Sequence, residues 1–203
     1  ELDLSNNGPE DDYYDDDYLS DVLGHIHVSQ CHLQILRLAG CNLNYGSCKT
    51  LVSVLKSSKP LIELDLSNNA IGNSGVECLS KGLRSSKCKL QILRLAGVYV
   101  SSISCKSLAS VLQSPNSLIE LDLSINGLED SGVLLLSRGL RSHNCKLQIL
   151  RLSDCKISQK GCNSLASALR SNPSHLKELD LSKNPPGESG LKLLTARLED
   201  LKL

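Results

Sequence analysis

The 203-residue chain has no methionine, no tryptophan and no phenylalanine, and its aromatic content is five tyrosines, 2% of the residues. Without Trp and Phe it lacks the anchors that usually dominate protein interfaces, so any partner surface is expected to be modest. Net charge is missing as well, because 22 Lys and Arg balance 22 Asp and Glu. That balance removes the case for nucleic acid, which favours a strongly basic domain, and leaves none for an anionic membrane or an acidic substrate. No apolar run approaches the roughly 20 residues that cross a bilayer, and no segment reads as a signal peptide. With no initiator methionine and a start at Glu1-Leu2-Asp3-Leu4, inside a repeat unit, the chain is expected to be a fragment.

Motifs that carry chemistry are absent too. There is no G-x-x-x-x-G-K-S/T phosphate loop, no G-x-S-x-G elbow and no H-E-x-x-H. No C-x-x-C pair supports a zinc site, and His25 and His27 stand without the Cys or carboxylate partners a metal needs. The expectation is no enzyme, no cofactor, no metal, and neither binding nor hydrolysis of nucleotides.

What is present is a repeat. The stretch Leu61-Ile-Glu-Leu-Asp-Leu-Ser-Asn-Asn69 returns at Leu118 to Asn126 and Leu176 to Asn184, and truncated at Glu1 to Asn7. A sister unit, Leu33-Gln-Ile-Leu-Arg-Leu-Ala-Gly-Cys41, returns at Leu90 to Val98 and Leu147 to Cys155. Both share the frame L-x-x-L-x-L-x-x-N/C, in which leucines alternate with polar residues at the period of a strand with one buried face. Successive frames begin at Leu33, Leu61, Leu90, Leu118, Leu147 and Leu176, a step of 28 or 29 residues that signals a solenoid. Between frames, Ile71-x-x-x-Gly75-x-x-x-Leu79-x-x-x-Leu83 carries helical spacing. Strands joined by helices run parallel and stack sideways into a right-handed coil. The fold class is therefore α/β, a solenoid with a parallel concave sheet and convex helices. It forms one domain over residues 1–203, about seven repeats, with strands near 2–4, 35–38, 63–66, 92–95, 120–123, 149–152 and 178–181.

Residues 8–32 are an irregular first return, in which Glu10 to Asp17 holds six carboxylates in eight residues. Charge at that density opposes compaction, so a solvated bulge before a degenerate helix near Leu19 to His27 is expected. It reads as a surface insertion or, more sharply, as an acidic tyrosine-bearing dock. Ser47 and Ser104 stand where the Asn-type repeats place Gly75, Gly132 and Gly190, and Val98 breaks the Asn/Cys series. Residues 96–104 are therefore expected to be the least regular turn. Asn69, Asn126 and Asn184 should turn inward, where a buried amide needs partners. Pro185-Pro186-Gly187 fixes the last turn, and both ends are expected to expose core.

The nine cysteines fall into repeat columns, such as Cys31, Cys88 and Cys145, or Cys48, Cys105 and Cys162. Like positions lie two layers, about 10 Å, apart, beyond the roughly 7 Å Cα separation a disulfide spans. Free structural thiols are expected. The only Asn-x-Ser/Thr triplet is disqualified by Pro173, so both facts lean cytoplasmic.

These residues resemble a family. The frame looks like the long leucine-rich repeat of ribonuclease-inhibitor type, with alternating Asn-ended and Cys-ended units. Asp130 to Leu140, Cys145 to Leu152 and Ser164 to Leu181 resemble the C-terminal repeats of NOD-like (NACHT-leucine-rich-repeat) receptors. That resemblance implies a sensing and autoinhibitory repeat module of an innate-immune receptor, its partner being a protein or the receptor's own NACHT domain. The alternative is a ribonuclease-inhibitor-like binder, which a neutral chain without concave aromatics suits less well. A GTPase-activating solenoid has no distinctive catalytic residue behind it.

Candidate binding residues are those flanking the buried leucines, which face the concave side. The third-position column reads Glu1, Ile35, Glu63, Ile92, Glu120, Ile149 and Glu178. The fifth reads Asp3, Arg37, Asp65, Arg94, Asp122, Arg151 and Asp180. At about 4.8 Å between strands, each Arg is expected between two Asp in an alternating ladder, with Ile35, Ile92 and Ile149 as an exposed stripe beside it.

Overall fold

The computed structural model describes residues 1–7, 33–57, 60–171, 176–196, 198 and 200–203. The acidic bulge, the degenerate helix after it and Cys31 lie outside the described residues.

Short leucine-centred strands alternate with amphipathic helices along the chain. The strands are β1 (Leu2–Asp3), β2 (Ile35–Arg37), β3 (Glu63–Asp65), β4 (Ile92–Arg94), β5 (Glu120–Asp122), β6 (Ile149–Arg151), β7 (Glu178–Asp180) and β8 (Asp200–Lys202). The helices are α1 (Tyr45–Leu55), α2 (Gly72–Leu83), α3 (Ser102–Gln113), α4 (Glu129–Leu140), α5 (Gln159–Ser171) and α6 (Glu188–Thr195). All eight strands form one parallel sheet in sequence order. The register pairs leucine with leucine, Leu36 with Leu64 and Leu64 with Leu93, so each repeat stacks its frame on the next.

The core lies between sheet and helices. Leu64, Leu66, Leu93, Leu95, Leu121 and Leu123 are fully buried from the sheet side, and Leu79, Leu108, Leu136 and Leu165 close on them from the helices. Leu51 and Leu55 of α1 are buried as the spacing predicts. Helix starts approach closely: a Cβ on Gly132 would lie 2.9 Å from Cys105 Sγ of the preceding repeat, which leaves room for glycine alone.

The eighth strand corrects the count of seven. Leu198-x-x-Leu201-x-Leu203 is the same frame cut short, 22 residues after Leu176 rather than 28 or 29, and the helix before it has only 8 residues. Even so, β8 lies against β7 with Leu179 beside Leu201, the Lys202 carbonyl accepts from Leu181 N–H at 2.9 Å, and Leu179 and Leu181 are fully buried. At this end the exposed core is Leu203, with Leu201 half-buried.

The turn at residues 96–104 is as regular as its sisters, against expectation. Gly97 and Tyr99 sit at φ 64° and 58°, matching Gly40 and Asn42 at 64° and 57°. The backbone N–H groups of Val98 and Val100 both donate to Asn126 Oδ1, so the turn is held from the next repeat and not by the residue at position 98.

Candidate functional site: the open face of the sheet

At the end of β3, β5 and β7 the expected inward asparagines close each turn. Asn69 Oδ1 accepts from the N–H of Cys41 and of Leu43, at 3.0 and 2.9 Å, while its Nδ2 donates to the carbonyls of Leu38, Leu66 and Ser67. Asn126 and Asn184 repeat this pattern. In the sister repeats Cys41 and Cys155 donate Sγ–H to the carbonyls of Leu4 and Leu123, at 2.9 and 3.2 Å. Val98 forgoes only that weak bond. These bonds stitch adjacent repeats and fix the strands whose alternate side chains form the open face.

On that face the ladder differs from the expected Asp–Arg alternation. Arg37 bonds Glu1 and Glu63, Arg94 bonds Glu63 at 2.7 Å and Glu120 at 3.2 Å, and Arg151 bonds Glu120 at 2.5 Å and Glu178 at 3.4 Å. Lys202 closes the series on Glu178 at 2.8 Å. The arginines thus reach diagonally to the third-position glutamates and bypass the directly opposed aspartates. Among the described residues only Asp3 comes within 4.0 Å of an arginine, at 3.8 Å from Arg37, while Asp65 acts on Arg94 from farther away.

The reason is side-chain length. Asp65 Oδ1 accepts from Ser67 N–H at 2.9 Å, and Asp3, Asp122 and Asp180 do the same for Ser5, Ser124 and Ser182. A short carboxylate at the strand end satisfies the orphan N–H of its own turn, an Asx-type bond that sequence spacing suggests but that the column reading overlooked. The longer Glu and Arg remain free to meet each other.

Burial follows the same division. Glu63 and Glu120 are 7% and 8% exposed, unusual for carboxylates and tolerable because each is held by two guanidinium groups. Burial pushes the Glu63 carboxyl up, but hydrogen bonds from Arg94 and Arg37 outweigh it and hold it below the usual carboxylate range. Ile35, Ile92 and Ile149 are half-buried rather than exposed; Ile92 lies in register between Glu63 and Glu120. All twelve candidate residues do share the open face, as an interlocked Arg–Glu ladder, a column of aspartates and three half-covered isoleucines.

Sequence reasoning missed one further set of contacts. Asp130 on the first turn of α4 accepts from Ser158 N–H, Ser158 Oγ and Gly161 N–H, capping α5 of the next repeat. Asn73 does likewise for Ser101 and Ser104. The shared triplets Asn73-Ser74-Gly75 and Asp130-Ser131-Gly132 carried that signal. Among the described residues no group of three His, Cys, Asp or Glu is placed to hold a metal, and no helix is long and apolar enough to cross a membrane.

Comparison with known proteins agrees with this geometry. A family described as Leucine Rich repeat matches residues 57–80, 114–137, 143–166 and 172–194. The human NACHT, LRR and PYD domains-containing protein 12 is 45% identical over 170 residues, 84% of this chain and 16% of that protein. Pig ribonuclease inhibitor is 42% identical over 169 residues, 83% of this chain and 37% of that protein. The chain is a leucine-rich-repeat array of the ribonuclease-inhibitor type. The array spans about a sixth of the NACHT relative and little more than a third of the inhibitor. A solved structure, Leiomodin-1 Actin-Binding Site 2, superposes with a TM-score of 0.63 over 72% of the array and 84% of that chain, at 20% identity, a likeness of fold alone. The family model and the matched relatives are leucine-rich-repeat proteins, and they indicate no enzyme family.

Proposed function

We propose that the open face docks a protein, and that the array is the sensing and autoinhibitory repeat module of a NACHT-containing innate-immune receptor, acting in the cytoplasm. Its occupant is a protein ligand or the receptor's own NACHT module. The observation that carries this reading is the division of labour on the face. The ladder engages Arg37, Arg94 and Arg151 and the glutamates beside them, whereas Asp65, Asp122 and Asp180 make no ion pair within 4.0 Å among the described residues, Asp65 acting on Arg94 only at longer range. A rigid sheet presenting unmatched aspartates beside half-covered isoleucines suits a polar docking surface that carries no aromatic anchor.

The same aspartates support a second reading, a ribonuclease-inhibitor-like binder of a basic protein. Calorimetric titration with the NACHT segment of the human relative in one arm, and a basic ribonuclease in the other, separates the two. The first reading expects saturable binding of the NACHT segment, weakened by Ile92→Ala with Ile149→Ala. Binding of the ribonuclease alone would favour the second, and binding of neither would remove both occupants.

A further inference from the structure

Behind the zero net charge stand two unlike surfaces among the described residues. On the open face the arginines are each matched by two carboxylates. Along the edge where helices hand over to strands the balance is different. Residues 81–91, 113–119 and 138–148 contain Lys81, Arg84, Lys87, Lys89, Arg138, Arg141 and Lys146, and no Asp or Glu. None of these seven cations has an ion-pair partner among the described residues.

A notch of roughly 330 Å³ opens on this edge, lined by Lys89, Lys146, His143, Ser85, Ser117 and Asn116 among others. Lys89, Ser117 and Lys146 each stand three residues ahead of Ile92, Glu120 and Ile149, which are register partners across β4, β5 and β6. The two lysines therefore flank Ser117, one layer to either side, about 10 Å apart at the usual strand spacing. Each is exposed, and a lysine side chain is long enough to lean over the serine between them.

The walls are fixed by bonds that leave the ammonium groups uncommitted. Asn144 Nδ2 donates to Gln113 O at 2.8 Å, and Asn116 Nδ2 donates to Ser114 O at 2.8 Å while its Oδ1 accepts from Leu118 N–H. The N–H groups of Cys88 and Cys145 close their turns on the carbonyls of Ser85 and Ser142.

We propose that this notch binds a phosphate-bearing anion, held between Lys89 and Lys146 with His143 and the Ser117 hydroxyl as further donors. Convergent lysines and hydroxyls without a carboxylate favour a compact multivalent oxyanion over a single carboxylate. Such a site needs no glycine-rich loop, which is why no phosphate motif marks it in the sequence. It uses none of the residues of the docking face, so the two proposals succeed or fail separately.

The test is calorimetric titration of the whole chain with inorganic pyrophosphate at low ionic strength. The expected result is saturable binding at one site, weakened about tenfold or more by Lys89→Ala with Lys146→Ala. Both side chains are exposed, so an unchanged Tm should confirm that the variant folds. The control is Lys106→Ala with Lys160→Ala, the same charge removed elsewhere, which should leave affinity intact. Vesicles carrying phosphatidylinositol bisphosphate, set against phosphatidylserine vesicles of equal charge, distinguish the source. Recruitment only to the former, lost with the Lys89 and Lys146 changes, assigns a lipid headgroup; pyrophosphate binding without recruitment assigns a soluble phosphate ligand. No saturable binding, or an equal loss in the control, overturns the proposal.

Discussion

Arg94 grips Glu63 of the neighbouring strand at 2.7 Å and leaves the register-matched Asp65 to cap its own turn through Ser67. That choice sets the character of the open face: a self-neutralised ladder of long side chains, with short aspartates left over along it.

The ladder makes stability pH-dependent. Glu63 titrates below its ordinary value of 4.5, because Arg94 and Arg37 outweigh the burial that opposes them. The ionised carboxylate thus favours the folded state at every pH above about 4.5, and that contribution is lost as pH falls through the lower folded value. Urea denaturation from pH 7 down to pH 3 should show stability falling below about pH 4.5. Glu63→Gln should shallow that fall, and an unchanged slope would show that Glu63 contributes nothing to it.

The turn asparagines should matter far more than the residue they serve. Asn126→Ala removes the acceptor of two N–H groups and the donor to three carbonyls, and should cost about 3 kcal/mol or more. Val98→Cys restores one weak Sγ–H donor in a site of similar volume and should change stability by less than about 1 kcal/mol. Chemical denaturation of both variants checks the contrast, which comparable losses would refute.

Ile125 is a β-branched residue at φ 58°, where Asn68 and Lys183 stand in the equivalent turns, and it is 58% exposed. That backbone region is costly for a β-branched side chain. Ile125→Asn should therefore raise stability by about 1 kcal/mol, read as an increase in Tm. A decrease would mean that the isoleucine makes a contact that offsets its strain.

The thiols should react unevenly. Burial pushes Cys48, Cys105 and Cys155 up to about 12 and Cys162 to about 11, so little thiolate forms at pH 8. All eight described cysteines are free, and Cys78 alone among them is only half-buried. Iodoacetamide on the folded chain should modify Cys78 ahead of the other seven, while denaturation without reductant should expose nine thiols. Early loss of Cys105 would contradict the packing.

Leu93 and Ile92 show what the sequence made legible and where it stopped. Period-two alternation placed Leu93 in the core and Ile92 on the open face, and the 28- or 29-residue step gave the strand register, because the leucine frame records both. The ladder was harder to read, because column logic treats Asp and Glu as equal charges, whereas reach decides which of them meets Arg94. The eighth strand escaped because its frame, Leu198 to Leu203, arrives early and stops before the Asn or Cys that marks the others. The segregation of charge was invisible to composition, since a sum of zero says nothing about which edge carries the cations.

Docking of a protein on the aspartates of the open face is tested most directly by removing their charge alone. The direct measurement is the affinity of the NACHT segment of the human relative for the triple variant Asp65→Asn, Asp122→Asn and Asp180→Asn, in which each side-chain oxygen can still cap its turn while the charge is gone. Affinity at least about tenfold weaker is expected, with a flatter salt dependence and an unchanged Tm. Wild-type affinity and salt dependence in that variant would contradict it and place the contact off this face.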